Sequence, residues 1–388
     1  MTDRSTQIAT DGLRSTFGRD LTSADTIDVL RNGDEIFSSM LEAIDAATES
    51  IEFATFVYWQ GDIAETFAAS LAAKSAAGVT VRVLIDDYGG KKMHDGLKSV
   101  LTEAGCQLAI YNPLDWRRPW RAGHRTHRKT LVVDDHVAFT GGVGIAQEWQ
   151  GDARNPSEWR DTHFRFTGEV VSAIRATFVD NWLDTTKEHP LHLAAPKTAP
   201  ADEAGGIPCF VIDAGHSDTR NDMFDQFRIL IGAAEQQIRL TTAYFVPDPA
   251  IVDDLCAAVE RGVDVHLVLP GPHTDKNFVR VAARSLMTDL VDRGVKISIY
   301  QQTMLHTKVL TVDGSLASIG SANVNRRSGH HDQEANVVIF DEDTTGLLDR
   351  HFDEDLERSV PYAEDSVASP GVVQQAFEPV LKRLRPWM

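Results

Sequence analysis

The pattern His-x-Lys-x4-Asp occurs twice in this chain, as His127, Lys129 and Asp134 and again as His306, Lys308 and Asp313. The surroundings repeat with it. Residues 51–58 and 238–245 both read as strands rich in apolar, aromatic and β-branched residues. Residues 77–85 are echoed by 261–269, where Gly78 and Gly262 end a helix and a strand begins. Ala104-Gly105 and Arg293-Gly294 punctuate a further helix-to-strand step. The chain is therefore an internal duplication, and its fold must be one that half of it adopts twice.

Each half alternates strand and helix and closes on its His-x-Lys strand. This predicts an α/β protein of two pseudo-symmetric domains, each a mixed, largely parallel sheet sandwiched by helices. The 388 residues exceed the ~250–300 that a single core supports. Pro and Ala without amphipathic period mark residues 190–206 as a linker between a first domain at 26–189 and a second at 207–388. Residues 1–25 precede the repeat as an N-terminal extension, expected to be disordered or to shield substrate.

On a strand, residues i and i+2 project from one face, so His127 shares a face with Lys129 and His306 with Lys308. Bringing the two strands together places two imidazoles and two ammonium groups around one point. That set suits a phosphodiester. The lysines neutralise the phosphate charge, one imidazole attacks phosphorus and the other protonates the departing alkoxide. The histidines must start in opposite protonation states, which predicts a bell-shaped pH profile, and each needs a partner on its other nitrogen to fix its tautomer. No cofactor is called for. Cys106, Cys209 and Cys256 lack CxxC spacing, His330-His331 reads as a surface or substrate-facing loop, and neither indicates a metal.

At these motifs the chain resembles the phospholipase D superfamily, and within it the bacterial cardiolipin synthases. Gly141-Gly142 and Gly320-Ser321-Ala322-Asn323 fall at the family's Gly-rich positions after each Asp. Trp159-Arg160-Asp161-Thr162-His163, Tyr244-Phe245-Val246-Pro247-Asp248, Arg326-Arg327-Ser328 and Glu334 complete the likeness, which runs from about Thr26 to the C-terminus. The resemblance implies two phospholipase D-like domains about a pseudo-twofold axis, sharing one active site. It implies His127 as nucleophile, forming a phosphohistidine, and His306 as acid and then base, with the reverse assignment open. Asp161 would serve the first site and Glu334 the second. Lys129, Lys308, Asn323 and Ser321 would bind phosphate oxygens, while Asp134 and Asp313 brace the fold. Gly144 stands where the family often has Asn, and Asn325 where it usually has Asp.

The activity so implied is metal-independent phosphatidyl transfer, two phosphatidylglycerols giving cardiolipin and glycerol. A hydrolytic phospholipase D yielding phosphatidic acid, a nuclease of the same superfamily and a non-catalytic membrane scaffold are the alternatives. The net charge of −19 and the absence of a basic stripe count against nucleic acid. No apolar run approaches the ~18–20 residues that span a bilayer, and no signal-peptide core is present. The expected setting is cytoplasmic, with peripheral contact at the inner face of the membrane. An acidic protein needs a locally basic docking face there. Trp116, Arg117, Arg118, Trp120, Arg121 and Arg125, leading into His127, form one such segment, and residues 381–388 another.

Overall fold

A computed structural model describes residues 4–114, 117, 123–188, 190, 205–215 and 221–363. The chain opens with α1 (Arg4–Phe17) and β1 (Thr22–Ala24). The first half runs β2 (Thr26–Arg31), α2 (Asn32–Ala46), β3 (Ser50–Thr55), α3 (Asp62–Ala76), β4 (Thr80–Asp86), α4 (Asp95–Glu103), β5 (Gln107–Tyr111), β6 (Arg125–Thr126), β7 (Thr130–Val133), β8 (Val137–Gly141), β9 (Thr162–Thr167) and α5 (Val170–Thr186). The second half repeats the plan with β10 (Ile207–Ala214), α6 (Asp222–Ala233), β11 (Gln237–Thr241), α7 (Pro249–Glu260), β12 (Asp264–Pro270), α8 (Asn277–Asp292), β13 (Lys296–Tyr300), β14 (Val309–Val312), β15 (Leu316–Gly320), α9 (Arg326–His330), β16 (Asp332–Phe340), α10 (Glu342–Glu357) and β17 (Ser359–Pro361). Among the described residues no helix is long and apolar enough to cross a membrane.

The strands form two mixed sheets flanked by helices, in the orders β2-β9-β8-β7-β3-β4-β5 and β1-β10-β16-β15-β14-β11-β12-β13-β17, with β6 added to β16. Between the strands of the described residues, parallel pairing is confined to β3-β4-β5, β11-β12-β13 and the β6–β16 contact, with isolated parallel bridges such as Arg160–Leu305 outside them. The expectation of largely parallel sheets is corrected accordingly. Helical crossovers join only those trios, whereas β7 and β14 turn back through tight hairpins, which impose antiparallel pairing. Gly78 and Gly262 follow α3 and α7 at φ 97° and 92°, a conformation that costs Gly little and that frees the chain to enter β4 and β12.

The hairpin after each motif explains its aspartate. Asp134 and Asp313 both sit at φ 51°, in the left-handed region. Asp134 accepts hydrogen bonds from the Thr48, Glu49 and Ser50 backbone N–H groups and from the Thr48 hydroxyl, at 2.7–2.9 Å. Asp313 accepts from the N–H groups of Glu235, Gln236 and Gln237, each at 2.8 Å. In each half the carboxylate ties the start of the neighbouring strand, β3 or β11, to the motif strand.

Each half has its own core, and a further cluster joins the sheets. It includes Val132, Phe164 and Phe166 from the first and Val211, Ile319 and Val337 from the second. Burial of each such side chain contributes about 1.5–3 kcal/mol, so the sheets are held face to face by an apolar seam. The N-terminal residues are part of this architecture. β1 pairs antiparallel with β10 at the sheet edge, and α1 packs on α6. Ala9, Leu13 and Phe17 recur every four residues, and this stripe lies on the second core, Phe17 against Phe210. The reading of 1–25 as a separate extension missed that period. Most of the proposed linker, residues 191–204, lies outside the described residues.

Replacing Asp134 by Ala removes acceptors from four donors at once and is expected to cost about 2–3 kcal/mol in denaturant unfolding, with Asp313→Ala similar. Burial opposes ionisation of Asp134, but its backbone donors hold the carboxyl below the usual carboxylate range. Its contribution is therefore present above that range and lost as pH falls through the depressed pKa. A variant as stable as the parent at neutral pH would contradict the bracing role.

Candidate active site

The two histidines arrive on extended segments just ahead of β7 and β14, not within the strands. Each segment is fastened to the opposite half. β6 runs parallel to the start of β16, pairing Arg125 with Asp332 and Thr126 with Gln333, and the His127 N–H donates to the Gln333 carbonyl at 2.8 Å. Symmetrically, Arg160 bridges Leu305, its N–H donates to the Met304 carbonyl at 2.9 Å, and the His306 N–H donates to the Arg160 carbonyl at 2.7 Å.

The residue after each acceptor is the carboxylate, so the side-chain pairing crosses as well. His127 Nδ1 lies 3.0 and 3.1 Å from the Glu334 oxygens, and His306 Nδ1 lies 2.7 Å from Asp161 Oδ2. The expected assignment of Asp161 to the first histidine and Glu334 to the second is corrected. Each acid belongs by sequence to one half and serves the histidine of the other. An ionised carboxylate only accepts, so each Nδ1 carries hydrogen and each neutral imidazole presents Nε2 as its lone-pair nitrogen.

Both carboxylates are buried and further held. Glu334 accepts from the Ser321 hydroxyl at 2.5 Å, and that hydroxyl in turn accepts from the Ala335 N–H at 3.0 Å. Ser321 was expected to bind phosphate. Its proton instead points at Glu334, and it positions the acid that positions His127. Gly142, the equivalent residue of the first half, has no such room, because a Cβ there would meet Asp161 Oδ1 at 2.2 Å. Asp161 takes its extra donors elsewhere, from Trp149 Nε1 and the Thr162 N–H, both at 2.8 Å. Trp149 was not identified from sequence, since nothing in the spacing ties an indole at that position to Asp161.

Lys129 Nζ donates to the His127 carbonyl at 2.7 Å, and Lys308 Nζ to the His306 carbonyl, with the ammonium 3.1 Å from His306 Nδ1. Burial sets the electrostatics. It lowers His127 to about 4, against the upward pull of Glu334, and His306 to about 3, where Lys308 adds to burial and Asp161 opposes it. Burial likewise lowers Lys129 to about 7 and Lys308 to about 8, and the nearby carboxylates keep them from falling further. Burial pushes Glu334 up, but His127, with Lys129 and the Ser321 hydroxyl, overcomes this and holds it down to about 2. The site therefore rests with neutral imidazoles, ionised acids and lysines that titrate near neutrality. His127 side-chain exposure is 12% against 5% for His306, so the opening is on the His127 side.

Asn323 is buried, its N–H donates to Ser328 Oγ at 3.2 Å, and its Oδ1 has no hydrogen-bond partner among the described residues, an amide held ready for a ligand. Gly144 packs where an added Cβ would lie 2.6 Å from Val57 Cβ, which explains the missing Asn there, and Asn325 accepts from the Ser328 N–H at 2.8 Å to start α9. Arg125 was grouped with the membrane contacts. It is buried, 3.6 Å from Asp86 and donating to the Asn112 carbonyl at 3.0 Å, and so holds β6 in place. Arg117 is exposed, while Trp116, Arg118, Trp120, Arg121 and residues 381–388 lie outside the described residues.

Aromatic rings wall the histidines. Phe56 meets His127 edge-on at 5.0 Å between centroids, and Trp149, Trp159 and Tyr244 stand 5.1, 5.4 and 6.1 Å from His306. Of these, Phe56, Trp159 and Tyr244 fell in segments singled out from sequence, and Trp149 did not. Among the described residues no group of three or more His, Cys, Asp or Glu is arranged to hold a metal.

A family model described as "Cardiolipin synthase, PLD-like domain" matches residues 40–150 and 227–356. A cardiolipin synthase of Geobacillus sp. is 32% identical over 92% of this chain and 71% of its own, and cardiolipin synthase 2 of Bacillus cereus is 34% identical over 85% and 64%. This chain thus spans about two thirds of the length of such relatives. Phosphatidylserine synthase of Haemophilus influenzae shares the fold over the whole of both chains, with a TM-score of 0.74 at 14% identity. Two motifs on one duplicated scaffold, converging on one site, place the chain in the cardiolipin synthase family of phospholipase D-like proteins.

Proposed function

We propose that the protein is a phosphatidyltransferase that joins two phosphatidylglycerol molecules into cardiolipin and releases glycerol. The observation that carries this reading is the convergence of two His–carboxylate pairs and two lysines on one aromatic-walled point, in a chain of this family. His127 Nε2 attacks phosphorus and the bond to the glycerol oxygen breaks. His306, protonated on both nitrogens, delivers the Nε2 proton to that oxygen. The second phosphatidylglycerol then gives its hydroxyl proton to His306 Nε2, its oxygen attacks phosphorus, and the P–N bond to His127 breaks. One phosphodiester replaces another, so no nucleotide is consumed. Lys129, Lys308 and Asn323 hold the non-bridging oxygens, and the aromatic walls limit water, which would otherwise give phosphatidic acid.

The proton that His306 donates has to be acquired with the substrate, because the free site holds that imidazole neutral. An anionic phosphate beside it favours the charged form. Membrane access is peripheral, at the inner face, through the segment holding Trp116, Arg117, Arg118, Trp120 and Arg121.

Four outcomes are expected. First, purified protein with phosphatidylglycerol vesicles and a chelator gives cardiolipin plus glycerol by mass spectrometry, and His127→Ala reduces this by at least about 10³-fold. Phosphatidic acid alone would make the protein a hydrolase, and the absence of lipid product would redirect the search to other phosphodiesters. Second, with a p-nitrophenyl phosphodiester, whose leaving group needs no acid, His306→Ala accumulates a covalent adduct on His127; an adduct on His306 in His127→Ala would reverse the two roles. Third, kcat/KM falls above about pH 7–8 as Lys129 and Lys308 lose their protons, and falls again toward pH 4 as His127 gains one. Fourth, vanadate binding near pH 6, chosen below the range of the two lysines and above that of His306, takes up about one proton, read from the buffer dependence of the binding heat; binding without uptake would refute a substrate-coupled acid.

A further inference from the structure

Beside the His–Lys centre stands a second group of polar side chains to which the chemistry above gives no task. The Tyr244 ring, edge-on to His306, carries the Lys276 ammonium over its face at 4.3 Å from the centroid. Its hydroxyl donates to Asp275 Oδ1 at 2.8 Å. Lys276 is exposed and has no carboxylate within ion-pair distance among the described residues. Arg327, on α9, donates from Nε to Asp332 Oδ2 at 2.8 Å, and its two Nη groups have no protein acceptor among the described residues. Asp332 lies two residues before Glu334, and the α9 turn is tied to Asn323 through Ser328 Oγ at 3.2 Å. Both cations are thus anchored to elements that build the centre. In a protein of net charge −19, two cations with idle donors beside an anion-handling site are not explained by a general basic surface.

Resting on the phosphatidyl-transfer reading, a chemical demand singles them out. Cardiolipin carries two phosphodiesters joined by one glycerol. When the acceptor hydroxyl attacks, the acceptor's own phosphate must therefore lie one glycerol away from the reacting phosphorus. Lys129 and Lys308 are committed to the reacting phosphate, and the acceptor's charge would be repelled unless met separately. We infer that Lys276 and the Nη groups of Arg327 form a second phosphodiester subsite, which holds the acceptor lipid's phosphate while its glycerol hydroxyl faces His306. Lys276 is placed for this, two ring contacts from His306, and its charge is felt by Lys308 and influenced by Arg327. Asp275, whose Oδ2 has no donor among the described residues, cannot share the phosphate. It faces the hydroxyl on the middle carbon of the bridging glycerol, which an acceptor carboxylate suits.

The subsite makes acceptor choice depend on a charge that takes no part in bond making. In a competition between phosphatidylglycerol and 1-butanol as acceptors, both offered in phosphatidylglycerol vesicles, Lys276→Gln lowers the ratio of cardiolipin to phosphatidylbutanol about tenfold, and Lys276→Glu lowers it further. Arg327→Gln acts in the same direction, but it also unpairs the buried Asp332, so the exposed Lys276 variants decide. An unchanged ratio in both Lys276 variants overturns the proposal. A second arm does not need cardiolipin formation. Turnover of a p-nitrophenyl phosphodiester is inhibited by glycerol 1,3-bisphosphate about tenfold more strongly than by glycerol 1-phosphate, and Lys276→Gln removes that preference. If the parent protein makes no cardiolipin, the transfer reading fails and this arm alone decides: bisphosphate preference that depends on Lys276 keeps the subsite, and equal inhibition by the two compounds ends it.

Discussion

The site depends on a reciprocal exchange of backbone hydrogen bonds between the halves. His127 N–H reaches the carbonyl of Gln333, and His306 N–H reaches that of Arg160. These two bonds fix the register in which each motif meets the other half. Because Glu334 and Asp161 are the next residues along, they also decide which carboxylate each imidazole finds. Neither half alone contains a complete histidine–acid pair. Buried ion pairs secure the same crossing: Arg128 binds Asp213, and Arg160 grips Asp355 through Nε at 3.0 Å and Nη2 at 2.9 Å. Removing one partner of such a pair strands a buried charge, so the exchange is held by groups that are costly to separate.

The duplication is close in backbone and looser in chemistry. Asp134 and Asp313 share a dihedral angle and a donor set, because both brace the same hairpin. Around the acids the halves diverge. A glutamate reaches farther than an aspartate and leaves space for Ser321, whereas the shorter Asp161 closes against Gly142 and borrows Trp149. Val57 fills the space that an asparagine at 144 would need, while Asn323 keeps an amide oxygen without a partner among the described residues. The halves thus offer a pseudo-symmetric pair of imidazoles on an asymmetric floor, and a reaction whose two histidines play different parts requires such a difference.

Much of this was legible in the sequence where the signal was local or repeated. The spacing of His and Lys, the glycines that end α3 and α7 and the strand patterns in both halves come from backbone preferences acting over a few residues. The stripe of Ala9, Leu13 and Phe17 was equally local, but outside the repeat it offered no second copy for comparison. Ser321 was misjudged because a hydroxyl in a Gly-rich turn can serve ligand or protein, and only its 2.5 Å contact with Glu334 distinguishes them. Arg125 was misjudged because an arginine among tryptophans reads as surface until Asp86 is found buried beside it.

The sequence by itself determined that the chain folds as two copies of one α/β unit and that each copy brings a histidine, a lysine and a bracing aspartate, since periodicity and spacing are properties of the chain. The tertiary structure decided which carboxylate serves which histidine, how far burial shifts the four basic groups, and that Lys276 and Arg327 stand beside the centre. Those depend on contacts between residues far apart in the chain and on exclusion of water, and no local spacing encodes either.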